Sequence, residues 1–410
     1  MAFFVAGVIC CLIWNAMLVP AQGRAVKQDP ETGKIRLLFL GWVVYPEDVT
    51  RHYETDPLLE VTGVPLARRM VELGYIAQDA ARRSARIYMP RTYERFISEF
   101  DAVFLEAMDV DLVTPSWNRW FRDSVVEEGI GLCMTGGWAS FGGNSIEGYP
   151  PWGPTFVGEI LPVECLVDKL SSQVVIWMDP VDEEEPMVSS LPWESAPPLF
   201  GMNYVGSRGG SKLVANAKGT LAEGSWPLLS YWDPGEGRVI CFMSSWLPSW
   251  GIQFIRWPYA PDFASYLVYF AAGVRLPSSP ELAHKFRDKS WIYREGVGSF
   301  YKLVDLIEMM GVSATRVSRD TSGSEDLYEK AQSLFRAQEY EAAIEQVEEA
   351  IAGIRQLEQR AIEEKDRAFL WIYIIEWLFV TSAAMGAGTV VWTLMVRRRA
   401  YRPVGTTRSR

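Results

Sequence analysis

The sequence predicts an α/β domain followed by helices and a membrane-spanning segment. Short apolar runs alternate with amphipathic stretches over the first third of the chain, as in βαβ units with a parallel sheet. Residues 129–143 combine a buried strand pattern with two glycine pairs, a bend that places ligand or catalytic groups at a strand end. Residues 369–396 are apolar except for one charge, and crossing a membrane takes only about 20 residues.

The chain begins with an almost uninterrupted apolar stretch. Residues 1–23 are therefore predicted to be a signal peptide, or alternatively an uncleaved N-terminal anchor. In either case the segment that follows is delivered across a membrane.

Strands and helices then alternate. The predicted strands are residues 34–41, 86–89, 102–106 and 130–135. The predicted helices are residues 67–73, 92–97 and 117–128. In the last of these helices, Trp117, Trp120, Phe121 and Val125 recur with the period of one helical face.

Added β structure is expected after Trp152. The β segments are residues 163–167, 173–178 and 213–217, and a hairpin joins 227–232 to 238–243 through an Asp-Pro-Gly turn. A helix over 261–272 closes the domain, which spans residues 33–275, and a partly helical linker occupies 276–324.

Residues 325–368 are predicted to form a helical hairpin, either tetratricopeptide-like or a coiled coil. Val347, Ala350, Ile354, Leu357 and Ala361 follow heptad spacing. A single hairpin cannot bury its own apolar face, so it needs a partner or a neighbouring segment. We therefore expect contacts with other subunits through 325–368 and 369–396, or a homo-oligomer.

The predicted transmembrane helix, residues 369–396, is followed at once by a basic tail, residues 397–410. The excess of arginine after the span predicts a cytoplasmic C-terminus by the positive-inside rule. The chain is thus expected to be a single-pass protein of the cell membrane whose main domain is extracytoplasmic.

Composition excludes several classes of function. The net charge is −11, and no basic block lies outside the C-terminus, which argues against nucleic acid as a partner. The two histidines, His52 and His284, are far apart, and no CxxC motif occurs. We therefore expect no metal site and no cofactor.

Five segments in the domain at 33–275 carry a family resemblance; they are residues 131–141, 156–163, 191–193 with 198–201, 235–240, and 248–251 leading to Phe263. In this order they resemble the glutamine amidotransferase-like domains of the class I glutamine amidotransferase superfamily, in a membrane-anchored prokaryotic protein. The resemblance implies a flavodoxin-like α/β fold with added β structure. It implies no particular reaction, because members of this family often lack the catalytic residues.

Glutamine hydrolysis needs a cysteine at the bend, a histidine and a carboxylate. Cys133 lies in a segment one residue longer than the G-x-C-x-G elbow, and the strand prediction places it before the bend. Ser140 does not fit G-x-S-x-G spacing. The resemblance places the histidine where this chain has Ser249. Cys133 and Ser140 are therefore weak catalytic candidates, and a complete triad is not expected.

Aromatic and polar residues follow several of the predicted strands. If the sheet is doubly wound, they meet at one edge, where ligands bind. The predicted ligand-binding residues are Trp42, Glu106, Gly136, Gly137, Trp138, Ser140, Ser245, Trp246 and Trp250. Asp109 and Asp111 also follow a strand, either as solvated loop acids or as groups that bind a metal or orient a substrate.

Three functions remain open at this point. The first is a non-catalytic, ligand- or partner-binding subunit of a membrane or cell-surface assembly. The second is an extracytoplasmic amidohydrolase that uses Cys133. The third is a cell-surface carbohydrate-binding module, because aromatic faces with a few polar neighbours suit sugars.

Overall fold

The computed structural model describes residues 26–42, 53, 55–74, 76–220, 224–309 and 321–400. The predicted signal or anchor segment, His52 and the basic tail after residue 400 lie outside these ranges. The chain divides into two units. The first contains the described residues up to Asp288 together with Gln332–Ala343, and the second contains those of Lys289–Ala331 and Ile344–Arg410.

The first unit is built on an eight-stranded mixed sheet, with strand order β2-β1-β3-β4-β10-β9-β8-β6. Strands β5 and β7 form a separate antiparallel pair. The strands are β1 Ile35–Gly41, β2 Leu59–Pro65, β3 Ala102–Glu106, β4 Gly131–Thr135, β5 Val163–Ser171, β6 Ile176–Pro180, β7 Met202–Ser207, β8 Lys212–Gly219, β9 Trp226–Trp232 and β10 Val239–Phe242. From β2 to β10 the neighbouring strands are parallel, whereas β10, β9, β8 and β6 pair antiparallel.

Helices cover the sheet and continue into the second unit. They are α1 Arg68–Glu72, α2 Gln78–Tyr88, α3 Tyr93–Glu99, α4 Pro115–Glu128, α5 Phe156–Ile160, α6 Pro186–Ser189, α7 Pro248–Gly251, α8 Ala260–Ala271, α9 Pro280–Met309, α10 Ser322–Arg336 and α11 Tyr340–Ala400. The α/β fold class predicted from the alternating pattern is confirmed. All residues of β3 and β4 are buried, as expected for central parallel strands covered on both faces.

One predicted strand is wrong. Residues 86–89 lie at the end of helix α2 and just beyond it, and Ile87 and Tyr88 are largely exposed. The alanines and arginines of α2 favour a helix, and of the apolar side chains at 86–89 Met89 alone enters the core. The second strand is instead β2, which the sequence analysis missed because it is a half-exposed edge strand that contains glycine and proline.

The predicted hairpin at 227–243 is formed by β9 and β10, but it is not an added layer. Strand β10 pairs parallel with β4 and so joins the hairpin to the main sheet. The closing helix α8 packs its buried face on β4 and β10. Gly131 permits this contact, because a Cβ there would lie 2.5 Å from the Ala271 backbone.

In the second unit, three helical segments bury the heptad stripe. Helix α9 contributes Tyr293, whose ring stacks on Tyr328 of α10 at 4.2 Å between ring centroids. Ser324 of α10 donates a hydrogen bond to the carbonyl of Ala350 in α11. The stripe residues Val347, Ala350, Ile354, Leu357 and Ala361 are all buried. Gly296 of α9 lies against Ile354 of the stripe, where a Cβ would come within 2.9 Å of the Ile354 side chain, so α9 is a neighbouring segment of the kind that the hairpin was predicted to need.

Helix α11 continues without a break from the stripe into the predicted membrane segment. It contains a stretch with mean hydropathy 1.7, of which only 6% is buried, so by length and composition it can cross a membrane. Among the described residues it is the one helix with this property. The apolar side chains between Phe369 and Val396 are exposed along the helix. This agrees with a helix whose apolar surface faces lipid.

Candidate functional site

A cavity of about 290 Å³ lies at the carboxyl ends of the parallel strands. We call it the rim cavity; its wall is formed by residues that follow β1, β2, β3, β4 and β10, among them Trp42, Ala67, Ala107, Trp138 and Ser249. Its volume is at the small end of ligand-binding pockets, which start at about 300 Å³. Ligands of open α/β sheets bind at this edge.

The wall of the rim cavity is mostly apolar. Trp42, Leu73, Trp138, Tyr149 and Leu247 provide aromatic and aliphatic surface. Trp138 is 36% exposed, and its ring lies 6.5 Å from that of the buried Trp250, measured between centroids. The charged wall residues are Arg69, Asp109 and Glu147. An apolar wall with a few charged groups can orient a small molecule that has an apolar part and a charged part.

Asp109 is the buried charged residue of this wall, with 2% exposure. Its Oδ2 accepts a hydrogen bond from the Arg68 backbone at 2.7 Å and so caps α1. No donor among the described residues forms a hydrogen bond with Oδ1. Burial raises the pKa of Asp109 from 3.8 to about 6, although Arg68 acts to lower it. Asp109 is therefore not a solvated loop acid, whereas the side chain of Asp111 is 60% exposed.

Glu106 is fully buried and directly precedes Ala107 of the cavity wall. The hydroxyls of Thr135 and Ser245 donate hydrogen bonds to its two carboxyl oxygens. Burial raises the pKa of Glu106 from 4.5 to about 8, and the two hydrogen bonds only partly oppose this rise. We call Glu106, Thr135 and Ser245 the floor network. Glu106 and Ser245 were predicted to contact a ligand, but their burial directs them to each other.

The glycine bend after β4 is held by its own backbone hydrogen bonds. The Gly136 N–H donates to the carbonyls of Phe242 and Ser244, both at 2.8 Å. The Gly137 N–H donates to Asn203 Oδ1 at 2.9 Å, and Asn203 Nδ2 donates back to the Gly137 carbonyl at 3.1 Å. Gly137 has a φ of 150°, and a Cβ there would lie 2.8 Å from the Cβ of Ala107. The bend needs glycine for this close approach.

Both catalytic candidates are buried. Cys133 lies in the middle of β4 with 1% exposure, and its thiol donates a hydrogen bond to the Leu267 carbonyl at 3.4 Å. Ser140 has no exposed surface, and no described residue forms a hydrogen bond with its hydroxyl. Neither residue lines the rim cavity. A nucleophile must be reached by its substrate, so their burial separates both side chains from a ligand in this cavity.

His284, the histidine within the described residues, belongs to a different cluster. Its Nδ1 lies 2.7 Å from Asp262 Oδ2, and its ring stacks on Tyr259. Arg287 in the same cluster forms ion pairs with Asp262 and Asp56. These groups join α8, α9 and the segment before β2. His284 is therefore engaged in packing between helices.

Two other predicted ligand residues, Trp246 and Trp250, are buried and do not line the cavity. Trp246 is 4% exposed and packs against Phe104, Phe242 and Phe263. Trp250 is 1% exposed and lies against Gly201, where a Cβ would come within 2.4 Å of its ring. Of the predicted aromatics, Trp42 and Trp138 line the cavity itself.

Several residues of the site were not predicted from the sequence. Arg69, Glu147 and Tyr149 line the cavity but follow no predicted strand. Asn203 was missed because β7 was not predicted, and its partner Gly137 is 66 residues away in sequence. Within the described ranges, no group of three or more His, Cys, Asp or Glu residues is arranged to hold a metal ion.

Comparison with known proteins confirms the family resemblance. Residues 105–269 match the model of the family described as "Putative glutamine amidotransferase". This segment begins at the end of β3 and contains the glycine bend, the strands from β4 to β10 and most of α8. No curated protein matches the sequence.

Solved structures are similar over more than half of the chain. Cytoplasmic protein STM3548 from Salmonella typhimurium is 20% identical, with a TM-score of 0.46, over 57% of this chain and 98% of its own. Cytoplasmic protein STM1381 from Salmonella typhimurium LT2 is 22% identical, with a TM-score of 0.45, over 58% and 99%. A β-galactosidase from Bacillus circulans sp. alkalophilus is 11% identical, with a TM-score of 0.34, over 62% and 33%.

Proposed function

We propose that the amidotransferase-like domain binds a small ligand in the rim cavity without hydrolysing it, as part of a membrane-anchored extracytoplasmic subunit. The observation that carries this proposal is a cavity whose neighbouring glycine bend has its backbone N–H groups already hydrogen-bonded. Trp42 and Trp138 offer binding surface, while the N–H groups of Gly136 and Gly137 are already engaged. Acyl transfer needs backbone donors that are free to stabilise a developing oxyanion.

The burial of Cys133 supports the same conclusion. A thiol inside a central strand is shielded from an amide substrate. The described histidine, His284, is held by Asp262. The alternative function, an amidohydrolase that uses Cys133, would require this strand to open.

A thiol-reactive glutamine analogue tests the non-catalytic role. The purified full-length protein in detergent is incubated with the analogue, and modified residues are located by mass spectrometry. We expect Cys133 to react only after denaturation. Stoichiometric modification of Cys133 in the native protein, absent in Cys133→Ser, would establish the amidohydrolase instead.

The proposed placement in the membrane rests on α11. Its apolar stretch is long enough to span, and Arg397, Arg398 and Arg399 follow at the predicted cytoplasmic end. Protease treatment of intact spheroplasts tests this orientation. The main domain should be digested from outside while a C-terminal tag survives; survival of the domain together with loss of the tag would reverse the orientation.

Assembly with other subunits is the last part of the proposal. Because the heptad stripe is covered within the chain, the surface that supports a contact is the exposed membrane segment between Phe369 and Val396. Sedimentation of the solubilised protein, alone and after mild crosslinking in the membrane, measures this association. A monomer in both conditions would argue against a subunit role.

Carbohydrate binding is a second candidate, favoured by the half-open indole of Trp138 in the cavity wall. A glycan array probed with the wild type and with Trp138→Ala separates it from other ligands. Binding that is lost in the variant would identify the ligand as a sugar.

A further inference from the structure

We propose that the rim cavity selects ligands with a primary ammonium group, which binds Asp109 while the apolar body of the ligand lies along Trp42 and Trp138. This inference rests on the proposed ligand-binding role and adds the chemical class of the ligand. It starts from a buried carboxylate in the wall of the cavity, Asp109, whose Oδ1 lacks a hydrogen-bond donor among the described residues.

The two oxygens of Asp109 have different surroundings. Oδ2 is occupied, because it accepts the Arg68 backbone N–H at 2.7 Å. The Arg68 Nη2 lies 3.7 Å from Oδ1, which is too far for a hydrogen bond. That guanidinium instead donates to the Gly148 carbonyl at 3.1 Å and lies over the ring of Tyr149. A buried acceptor without a donor is costly, so a ligand that supplies one gains affinity.

The charges around Asp109 favour a cation over an anion. Arg68 is shared between Asp109 and Asp111, both at 3.7 Å. Arg69 lies 3.6 Å from Glu72 and 3.9 Å from Glu147. Each arginine thus faces two carboxylates. Tyr149 is the remaining titratable group in the wall, and burial raises its pKa, so it stays neutral. The set carries an excess of negative charge.

An ammonium group satisfies these surroundings better than a hydroxyl group. It donates hydrogen bonds to Oδ1 and also neutralises the carboxylate, and charge-assisted hydrogen bonds are roughly twice as strong as neutral ones. The aromatic wall adds a favourable interaction with a cation. Burial raises the pKa of Asp109 to about 6, so the carboxylate is available for this pairing at neutral pH and lost below about pH 6.

The experiment compares amines with their neutral isosteres. Benzylamine, 2-phenylethylamine and cyclohexylmethylamine, each with the alcohol of the same skeleton, are titrated into the full-length protein in detergent, with tryptophan fluorescence and calorimetry as readouts. Asp109→Asn is the informative variant, because its amide oxygen can still accept the Arg68 N–H and cap α1 while the side chain loses its charge. Asp111→Asn removes the same charge from the same loop, outside the wall. Ser249→Trp adds bulk to the wall and blocks the cavity.

We expect the amines to bind at least about tenfold more tightly than the alcohols, a preference abolished by Asp109→Asn and kept by Asp111→Asn. Amine affinity should fall as the pH drops below about 6 in the wild type but not in Asp109→Asn. Equal binding of amines and alcohols that Ser249→Trp abolishes would overturn the ammonium selectivity and leave the ligand-binding role intact. If no probe bound, both proposals would fail.

Discussion

Replacing Glu106 with glutamine should make the domain more stable at neutral and alkaline pH. The carboxyl group of Glu106 is fully buried, and its pKa is raised from 4.5 to about 8. At pH 7 it is therefore mostly protonated in the folded protein and ionised in the unfolded chain. Glutamine has nearly the same shape: its amide oxygen accepts a hydrogen bond from one of the hydroxyls of Thr135 and Ser245, and its amide nitrogen donates one to the other.

The magnitude follows from linkage between protonation and folding. Raising the pKa from 4.5 to about 8 corresponds to about 5 kcal/mol, as an upper bound. Because the folded state holds the proton more tightly, the stability contributed by Glu106 is full below pH 4.5. It is lost progressively as the pH rises to about 8, by about 1.4 kcal/mol per pH unit. Glu106→Gln should not lose this stability as the pH rises, because the glutamine side chain does not ionise.

Thermal unfolding of the full-length protein in detergent, followed by tryptophan fluorescence between about pH 5 and about pH 9, measures the difference. The wild type should lose stability with rising pH more steeply than Glu106→Gln. Infrared difference spectra at pH 7 should show a protonated carboxyl band that the variant lacks. Glu106→Ala serves as control and should cost about 2 kcal/mol or more, since it leaves two buried hydroxyls without their acceptor. Parallel pH profiles for wild type and Glu106→Gln would refute the raised pKa.

Three further changes test the packing around the site. Asn203→Leu should cost about 2–4 kcal/mol in thermal unfolding and weaken ligand binding, because the Gly137 N–H loses its acceptor; an unchanged melting temperature would contradict this role. Gly201→Ala should cost about 1–3 kcal/mol and alter tryptophan fluorescence, because its Cβ would lie 2.4 Å from the Trp250 ring; an unaltered spectrum would show that the ring has room. Burial lowers the pKa of His284, but the hydrogen bond and charge of Asp262 outweigh this and raise it above 6.5. The pairing therefore stabilises the fold below pH 6.5 and is lost as pH rises through the folded pKa, so His284→Gln should flatten unfolding profiles in that window, and an unchanged slope would count against it.

The central strands could be predicted because they are buried on both faces and so are continuous apolar runs. This holds for β1, β3 and β4. The edge strand β2 has no such signal, since exposure allows it to contain Glu60, Gly63 and Pro65. The spacing of apolar residues along the sequence indicates which face of an element is buried. An edge strand buries too little of its surface to produce such a pattern.

Some residues of the rim cavity could likewise be predicted from the sequence, and others could not. Trp42 and Trp138 were predicted because they directly follow central strands, whose carboxyl ends form the cavity edge. The role of Asp109 depends on Arg68 and Tyr149, which are distant in sequence, so its burial could not be predicted from its own loop. A helix that is long and apolar enough to cross a membrane could be predicted without tertiary information, because length and apolarity define it.

The location of the hydrogen-bond donors supports the proposed non-catalytic role. At the glycine bend, the Gly137 N–H donates to Asn203, and the hydroxyls of Thr135 and Ser245 donate to Glu106. Each of these donors holds a protein group in place, so none of them is left to stabilise a developing negative charge. In the cavity wall, Asp109 Oδ1 is a buried acceptor that has no hydrogen-bond donor among the described residues. Hydrolysis needs donors at this place, whereas the proposed binding of an ammonium group needs an acceptor.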